Sequence, residues 1–270
     1  MAESFLIKRQ PGFATIAVFC FFLLYLPIAT LVVYAFNSSA SIAGWESFSL
    51  RWFESAWNNQ KVIEASLRSL QIASVAAVIA TASATLAAIA TTRTAPYRGL
   101  TFKYSMINIP LLVPEIVTAV ALLILFSRIK IWTGYSGLGY LIIAHSAFCV
   151  PFAYMPIRAR LESMDLSLER AAADLYASSF QILRYVTLPL LWPGILAGLM
   201  LAFVVSLDDV VITEFVKSAG QDTLPTYMLG QMRRVATPEM NAIATVFLVL
   251  SLAIVTIIFF LSYTPRKGKN

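Results

Sequence analysis

Charged side chains drop out of this chain for more than twenty positions at a time. Residues 10–45 hold one such stretch, with its apolar centre at 13–36, and residues 69–92 hold a second, rich in Ala, Ser and Thr. The third, 104–127, is interrupted only by Glu115, and the others are 131–157, 185–207 and 240–265. A hydrocarbon core about 30 Å thick needs roughly 20 helical residues to cross it. The pattern therefore predicts six spanning helices, at about 13–36, 69–92, 104–127, 138–157, 190–213 and 240–264. Strict alternation of apolar and polar residues is absent, which argues against a membrane β-barrel. The expected fold is an all-α integral membrane protein, one transmembrane domain over 1–270. The first apolar run far exceeds the roughly 7–15 residues of a cleavable leader and is expected to stay in the chain.

Between the fourth and fifth runs, residues 158–189 are too polar to cross a bilayer and too regular for a plain linker. Leu168, Ala171, Ala172 and Leu175 fall at i, i+3, i+4, i+7, one apolar stripe on a helix. Asp165 or Ser167 suits its start, and Ser178 or Ser179 suits the start of a second short helix, Phe180–Tyr185, stopped by Pro189. Such a stripe must be buried, either on the inner ends of the same bundle or on a partner protein. In the loop after the first run, Trp45, Trp52, Phe53 and Trp57 read as an interfacial belt or a docking surface, with 52–64 as an amphipathic helix.

Composition agrees with the pattern: 59% of residues are hydrophobic, 13% are charged and the mean hydropathy is +0.77. Soluble domains run near 25% charged, so a soluble or disordered protein is excluded. Two cysteines exclude a disulfide scaffold, and Cys20 and Cys149 read as small buried apolar residues. The net charge of +6 reflects membrane topology rather than nucleic-acid binding. With the N-terminus inside, the inner segments hold 12 Lys and Arg: Lys8, Arg9, Arg93, Arg98, Lys103, Arg158, Arg160, Arg170, Arg184, Arg266, Lys267 and Lys269. The outer segments hold 7, so both termini are expected in the cytoplasm.

The chain carries no G-x-x-x-x-G-K-[ST] sequence, one histidine and no Cys/His cluster. It is therefore expected not to be an enzyme, to bind no metal and to hold no cofactor. His145 reads as an interhelical hydrogen-bonding residue, with a proton relay as the alternative. The remaining candidates are carboxylates within the membrane, which are costly unless they face a cavity or a partner. Glu115 follows Pro114 and lies five residues after Pro110, a combination that favours a kinked helix lining a path. Asp208 and Asp209 lie toward the far end of the fifth run. Successive helical positions diverge by about 100°, so only one can face the path. The other is left to pair with Arg68 or a partner. Carboxylates without Lys or Arg in the third and fifth runs suit a cationic substrate.

Ala171-Ala172, position 176 and then Val186-Thr187-Leu188-Pro189 match in spacing the EAA loop of permease subunits of binding-protein-dependent ABC importers, which the segment resembles. The family's Glu falls on Arg170, next to Glu169, and its Gly falls on Tyr176. The likeness continues through Phe48–Phe53, Ala65–Leu70, Val113–Val117, Ala144–Cys149 and Ser206–Val211, where it resembles the polyamine branch, second-permease type. The resemblance implies the type I permease fold and a coupling contact to an ATPase through Leu168, Glu169, Arg170, Ala171, Ala172, Asp174, Leu175 and Tyr176. The substrate path is expected at Glu115, Asp208, Asp209 and Pro114, from their place within the membrane. The resemblance also implies a second permease, two ATPase subunits that bind ATP and Mg, and a substrate-binding protein outside a bacterial inner membrane. Spermidine or putrescine is the implied cargo, with ferric iron or an amino-acid derivative as rivals. A secondary transporter or a membrane anchor are the other classes.

Overall fold

The computed structural model describes residues 12–41, 44–94, 98–234 and 237–262. Lys8, Arg9, Arg266, Lys267 and Lys269, on which the placement of the termini leans, lie outside them. In chain order the helices are α1 (Phe13–Tyr34), α2 (Arg51–Asn58), α3 (Gln60–Thr92), α4 (Leu100–Leu112), α5 (Glu115–Thr133) and α6 (Gly139–Glu162). They continue with α7 (Ser167–Asp174), α8 (Ser179–Ile182), a π-helical turn (Leu183–Thr187), α9 (Leu188–Leu207), α10 (Val211–Val216), α11 (Leu224–Met232) and α12 (Pro238–Ser262). Among the described residues six helical stretches are long and apolar enough to span a membrane: Ala14–Tyr34, Gln60–Thr92, Glu115–Thr133, Gly139–Glu162, Ser179–Leu207 and Pro238–Phe260.

The described residues fall into two compact units, one drawn from 1–60 and 231–249, the other from 61–230 and 250–270. In the first, the side chain of Asn37 organises the loop after α1. Its Nδ2 donates to the Gly44 carbonyl (2.6 Å), and its Oδ1 accepts from the amides of Ser39 (3.2 Å) and Glu46 (3.0 Å). Its carbonyl takes the indole N–H of Trp52 at 2.9 Å, so α2 is tied to the end of α1. Cys20 is exposed on α1, which is apolar all round and presents its surface outward, so the expectation of a buried thiol holds only for Cys149.

The second unit holds the candidate site residues Glu115, 168–176, Asp208 and Asp209. On α3, Ile72, Ala76, Ala80, Ala84 and Ala88 are buried at a spacing of four, the small-residue face that permits close helix approach. The α6/α9 pair is the closest packing in the unit. A side chain at Gly194 would meet Arg160 Cβ at 2.6 Å, and one at Gly198 would meet the Ala153 carbonyl at 2.8 Å. This G-x-x-x-G pair is what lets the two helices approach so closely.

Three spans differ clearly from expectation. The second starts at Gln60 rather than 69, so the expected helix over 52–64 is split at Asn59 between α2 and α3. The third is not one kinked helix over 104–127. α4 and α5 are separate, joined by extended backbone at Val113 and Pro114. Pro114 cannot donate and pushes Val113 out of the helical region, and Pro110 already weakens the last turn of α4. The fifth span starts earlier and ends earlier than 190–213. Pro189 does not stop a short helix; helical backbone runs on from Ser179 to Leu207. The π turn just before it widens the ladder, which accommodates a residue that has no N–H and crowds the carbonyl four positions back. The chain then breaks at 208–210 before α10.

Candidate functional site

Each break carries carboxylates, and the fold brings the two breaks together. α5 and α6 pack with α10 through Ala119, Phe126, Tyr140, Ala144 and Ile212. α4 lies along the other end of α6, where the Arg158 guanidinium sits 4.2 Å over the Tyr104 ring. The interruption between α4 and α5 therefore faces the middle of α6. Irregular backbone at membrane depth is tolerated where it is buried in protein or lines a cavity. Here Glu115, Phe148, Val205, Asp208, Asp209 and Val210 line an open cavity of about 320 Å³. Glu115 occupies the first turn of α5, where the helix dipole favours a negative charge. Its carboxyl lines the same cavity as Asp208 and Asp209. Among the described residues, no Lys or Arg lines the cavity.

The two aspartates have different surroundings. Asp209 is 6% exposed. Its Oδ1 accepts from the Ile212 amide (3.2 Å), and its Oδ2 accepts from the Thr213 amide (2.9 Å) and hydroxyl (2.8 Å). It thereby satisfies the orphan donors at the start of α10. Behind it stands His145, 1% exposed, with Nε2 at 2.9 Å from Thr213 Oγ1 and 3.4 Å from Asp209, and Nδ1 at 2.8 Å from Ser206 Oγ. Because the Thr213 hydroxyl donates to Asp209, the consistent assignment puts the ring proton on Nε2, with Ser206 donating to Nδ1. His145 is thus an interhelical residue, joining α6 to α9 and α10. Asp208, in contrast, is exposed at the cavity. Neither aspartate receives Arg68, whose guanidinium donates to the Asp222 carbonyl at 2.7 Å. The sequence did not reveal that His145, Ser206 and Thr213 act as the support of Asp209. The i, i+4 spacing of Asp209 and Thr213 was the available signal.

The second candidate segment is α7 with α8. α7 starts without a side-chain cap, since Asp165 accepts instead from the Ser167 amide (2.8 Å), one residue too early to cap it. The Ser167 hydroxyl and amide hold the Asp165 carboxyl below its usual range. α8 does begin with a capping box: Ser178 accepts from the Gln181 amide, and the Gln181 side chain accepts from the Ser178 amide. Along the stripe, Leu168 and Leu175 are 48% and 82% exposed. The chain's own bundle therefore leaves the stripe open. Arg170, Ala171 and Asp174 are exposed too, and Ala172 is half-buried. Glu169 turns inward. It pairs with Arg93 at 3.0 Å and accepts from the Thr187 hydroxyl at 3.0 Å, while Arg93 also donates to the Leu161 carbonyl at 3.1 Å. One ion pair, mostly shielded from water, thus ties α7 to the ends of α3 and α6 and to the π turn.

Residues 86–267 match the family described as binding-protein-dependent transport system inner membrane component. The chain belongs to this family. It is a membrane permease subunit of the ABC importer type. The permease is 37% identical to the spermidine/putrescine transport system permease protein PotC of Escherichia coli K12, over 96% of each chain. It is 36% identical to the putrescine transport system permease protein PotI of the same strain, over 90% of this chain and 87% of that one. Among solved structures, a chain of a bacterial ABC transporter involved in import of the acidic polysaccharide alginate superimposes with a TM-score of 0.73 at 17% identity. That overlap covers 92% of this chain and 93% of the other, and it bears on fold alone.

Proposed function

We propose that this permease forms half of the translocation pathway of an ATP-driven importer for polyamines such as spermidine or putrescine. The observation that carries the reading is the cavity at the two helix breaks, lined by Glu115, Asp208 and Phe148 with no cation among the described lining residues. An ammonium group leaving water needs a compensating charge. Carboxylates at two points and an aromatic face supply it, and the alkyl segments between ammonium groups suit the Val205 and Val210 walls. Asp209 holds the frame and Pro114 opens it. The names of the relatives at 36–37% identity support the same cargo.

The same reading assigns α7 and α8 to the contact with a separate ATPase subunit, which binds ATP and Mg. It also requires a second permease, a second ATPase copy and a substrate-binding protein outside. Residues 158–189 and both termini then face the cytoplasm, on the 12 to 7 distribution of basic residues. Labelling single cysteines at Ser41 and Ser163, with Cys20 and Cys149 replaced, is expected to require reagent from opposite sides; labelling from one side refutes the topology. For the function, the importer reconstituted in vesicles with its binding protein is expected to accumulate labelled spermidine or putrescine only with ATP. Uptake without ATP, or no competition by polyamines for the accumulated cargo, refutes it.

A further inference from the structure

The loop after α1 and the helix α2 hold three of the chain's five tryptophans, the residue that settles at a membrane–water boundary. At about 100° per residue, Trp52, Ala56, Phe53 and Trp57 follow one another across one side of α2, and Arg51, Glu54, Ser55 and Asn58 occupy the other. Part of the apolar side is spent on the chain itself. Ala56 is buried, and the Phe53 ring packs on Phe36 with centroids 4.9 Å apart. Trp52 donates to the Asn37 carbonyl, and the Arg51 guanidinium lies 4.2 Å over its ring. Trp57, at the edge where the apolar side meets the polar one, is 77% exposed. Two hydrogen bonds fix the depth of this helix. At its start, Trp52 is held by Asn37, three residues beyond the spanning stretch Ala14–Tyr34. Just past its end, Asn59 Nδ2 donates to Glu239 Oε1 at 3.1 Å, in the first turn of the spanning stretch Pro238–Phe260. The ends of spans mark the edge of the hydrocarbon, so a helix bonded to two of them lies at that level.

We infer that α2 lies flat in the bilayer interface, with the Trp57 ring among the lipid glycerol groups, and pins the ends of α1 and α12 to one membrane surface. The occupant of this surface is lipid rather than protein. Trp57 stands at the rim of the apolar side, where an amphipathic helix meets the headgroups, whereas a protein hot spot stands at the centre of a packed patch. Trp45 and Phe48, 47% and 68% exposed on the adjoining loop, extend the aromatic surface. The exposed charges beside it are of both signs, Arg51 with Glu46 and Glu54. A basic cluster is what seeks anionic lipid, so this helix is held by the wet–dry boundary itself and not by headgroup charge.

Tryptophan emission of the full importer in lipid nanodiscs tests this. The difference between wild type and Trp57→Phe isolates one ring and leaves the Trp52–Asn37 bond in place. That component is expected to emit to the blue of a water-exposed indole. Phosphatidylcholine brominated near the carbonyl end of its chain is expected to quench it more strongly than phosphatidylcholine brominated near the methyl end. Quenching is expected to be the same when part of the lipid is phosphatidylglycerol, and the same with saturating substrate-binding protein. Trp57→p-benzoylphenylalanine is expected to photocross-link to lipid. Emission at the water-exposed position without quenching by either brominated lipid overturns the inference. So does quenching that the substrate-binding protein abolishes, or cross-linking to that protein or to the second permease. None of these readings depends on the cargo, so failure of the polyamine proposal leaves the inference standing.

Discussion

Asp208→Asn and Asp209→Asn, changes at adjacent positions, are expected to fail in different ways. Asp208→Asn leaves the complex assembled and slows ATP-dependent polyamine uptake, as does Glu115→Gln. Each removes one charged partner of an ammonium group, worth about 1.5–3 kcal/mol, or roughly tenfold and more in affinity. Asp209→Asn instead weakens the protein. Its two oxygens serve three donors from Ile212 and Thr213, with His145 behind them at 3.4 Å. An amide in that place turns its own N–H toward one of these donors. Leaving buried donors without an acceptor costs about 1–3 kcal/mol per group. The measurements are thermal stability in detergent and uptake by vesicles containing equal amounts of assembled complex. Stable, fully active Asp209→Asn, or normal uptake by both Asp208→Asn and Glu115→Gln, defeats the assignment of roles.

At the coupling segment the largest effect is expected from Ala172→Asp. Ala172 lies half-buried between the α7 stripe and the groove beside α8. A carboxylate there becomes an unpaired charge when the partner covers it, with a penalty of about 3–5 kcal/mol. Copurification of the ATPase should fall by two orders of magnitude or more, a factor that corresponds to about 2.8 kcal/mol, while the permease still inserts. Glu169→Gln makes a contrast. It lies under α7 in the pair with Arg93 and takes no part in the exposed face. The ATPase should still bind, but hydrolysis should respond less to loaded binding protein, because α7 is no longer tied to α3 and α6. Equal loss of binding in both variants contradicts this division of labour.

Much of this molecule was legible before any coordinates. Apolar stretches of more than twenty residues leave a chain no other place than a membrane, because backbone polar groups in hydrocarbon must bond within a helix. The α7 stripe and a serine cap at 178 or 179 follow from local rules of spacing and side-chain reach, which operate within a few residues of chain. Glu115 stood out as a carboxylate beside two prolines for the same reason.

Other features depend on contacts between residues far apart in sequence. Whether Pro110 and Pro114 bend a helix or split it is decided by the packing of α4 and α5 along α6, which holds both halves while the backbone between them is extended. How far each aspartate is exposed to the cavity is decided by α10, which begins just after 208–210 so that Thr213 and His145 enclose Asp209 while Asp208 stays exposed. Glu169 looked like part of the docking face, yet Arg93, 76 positions away, draws it inward. Tyr176 looked unfit for a glycine's conformation, yet the two hydrogen bonds that close α7 impose it. Helices and caps are settled by neighbours along the chain. The direction in which a buried charge points is settled by whichever distant partner satisfies it, because an unsatisfied charge costs more than any local preference gains.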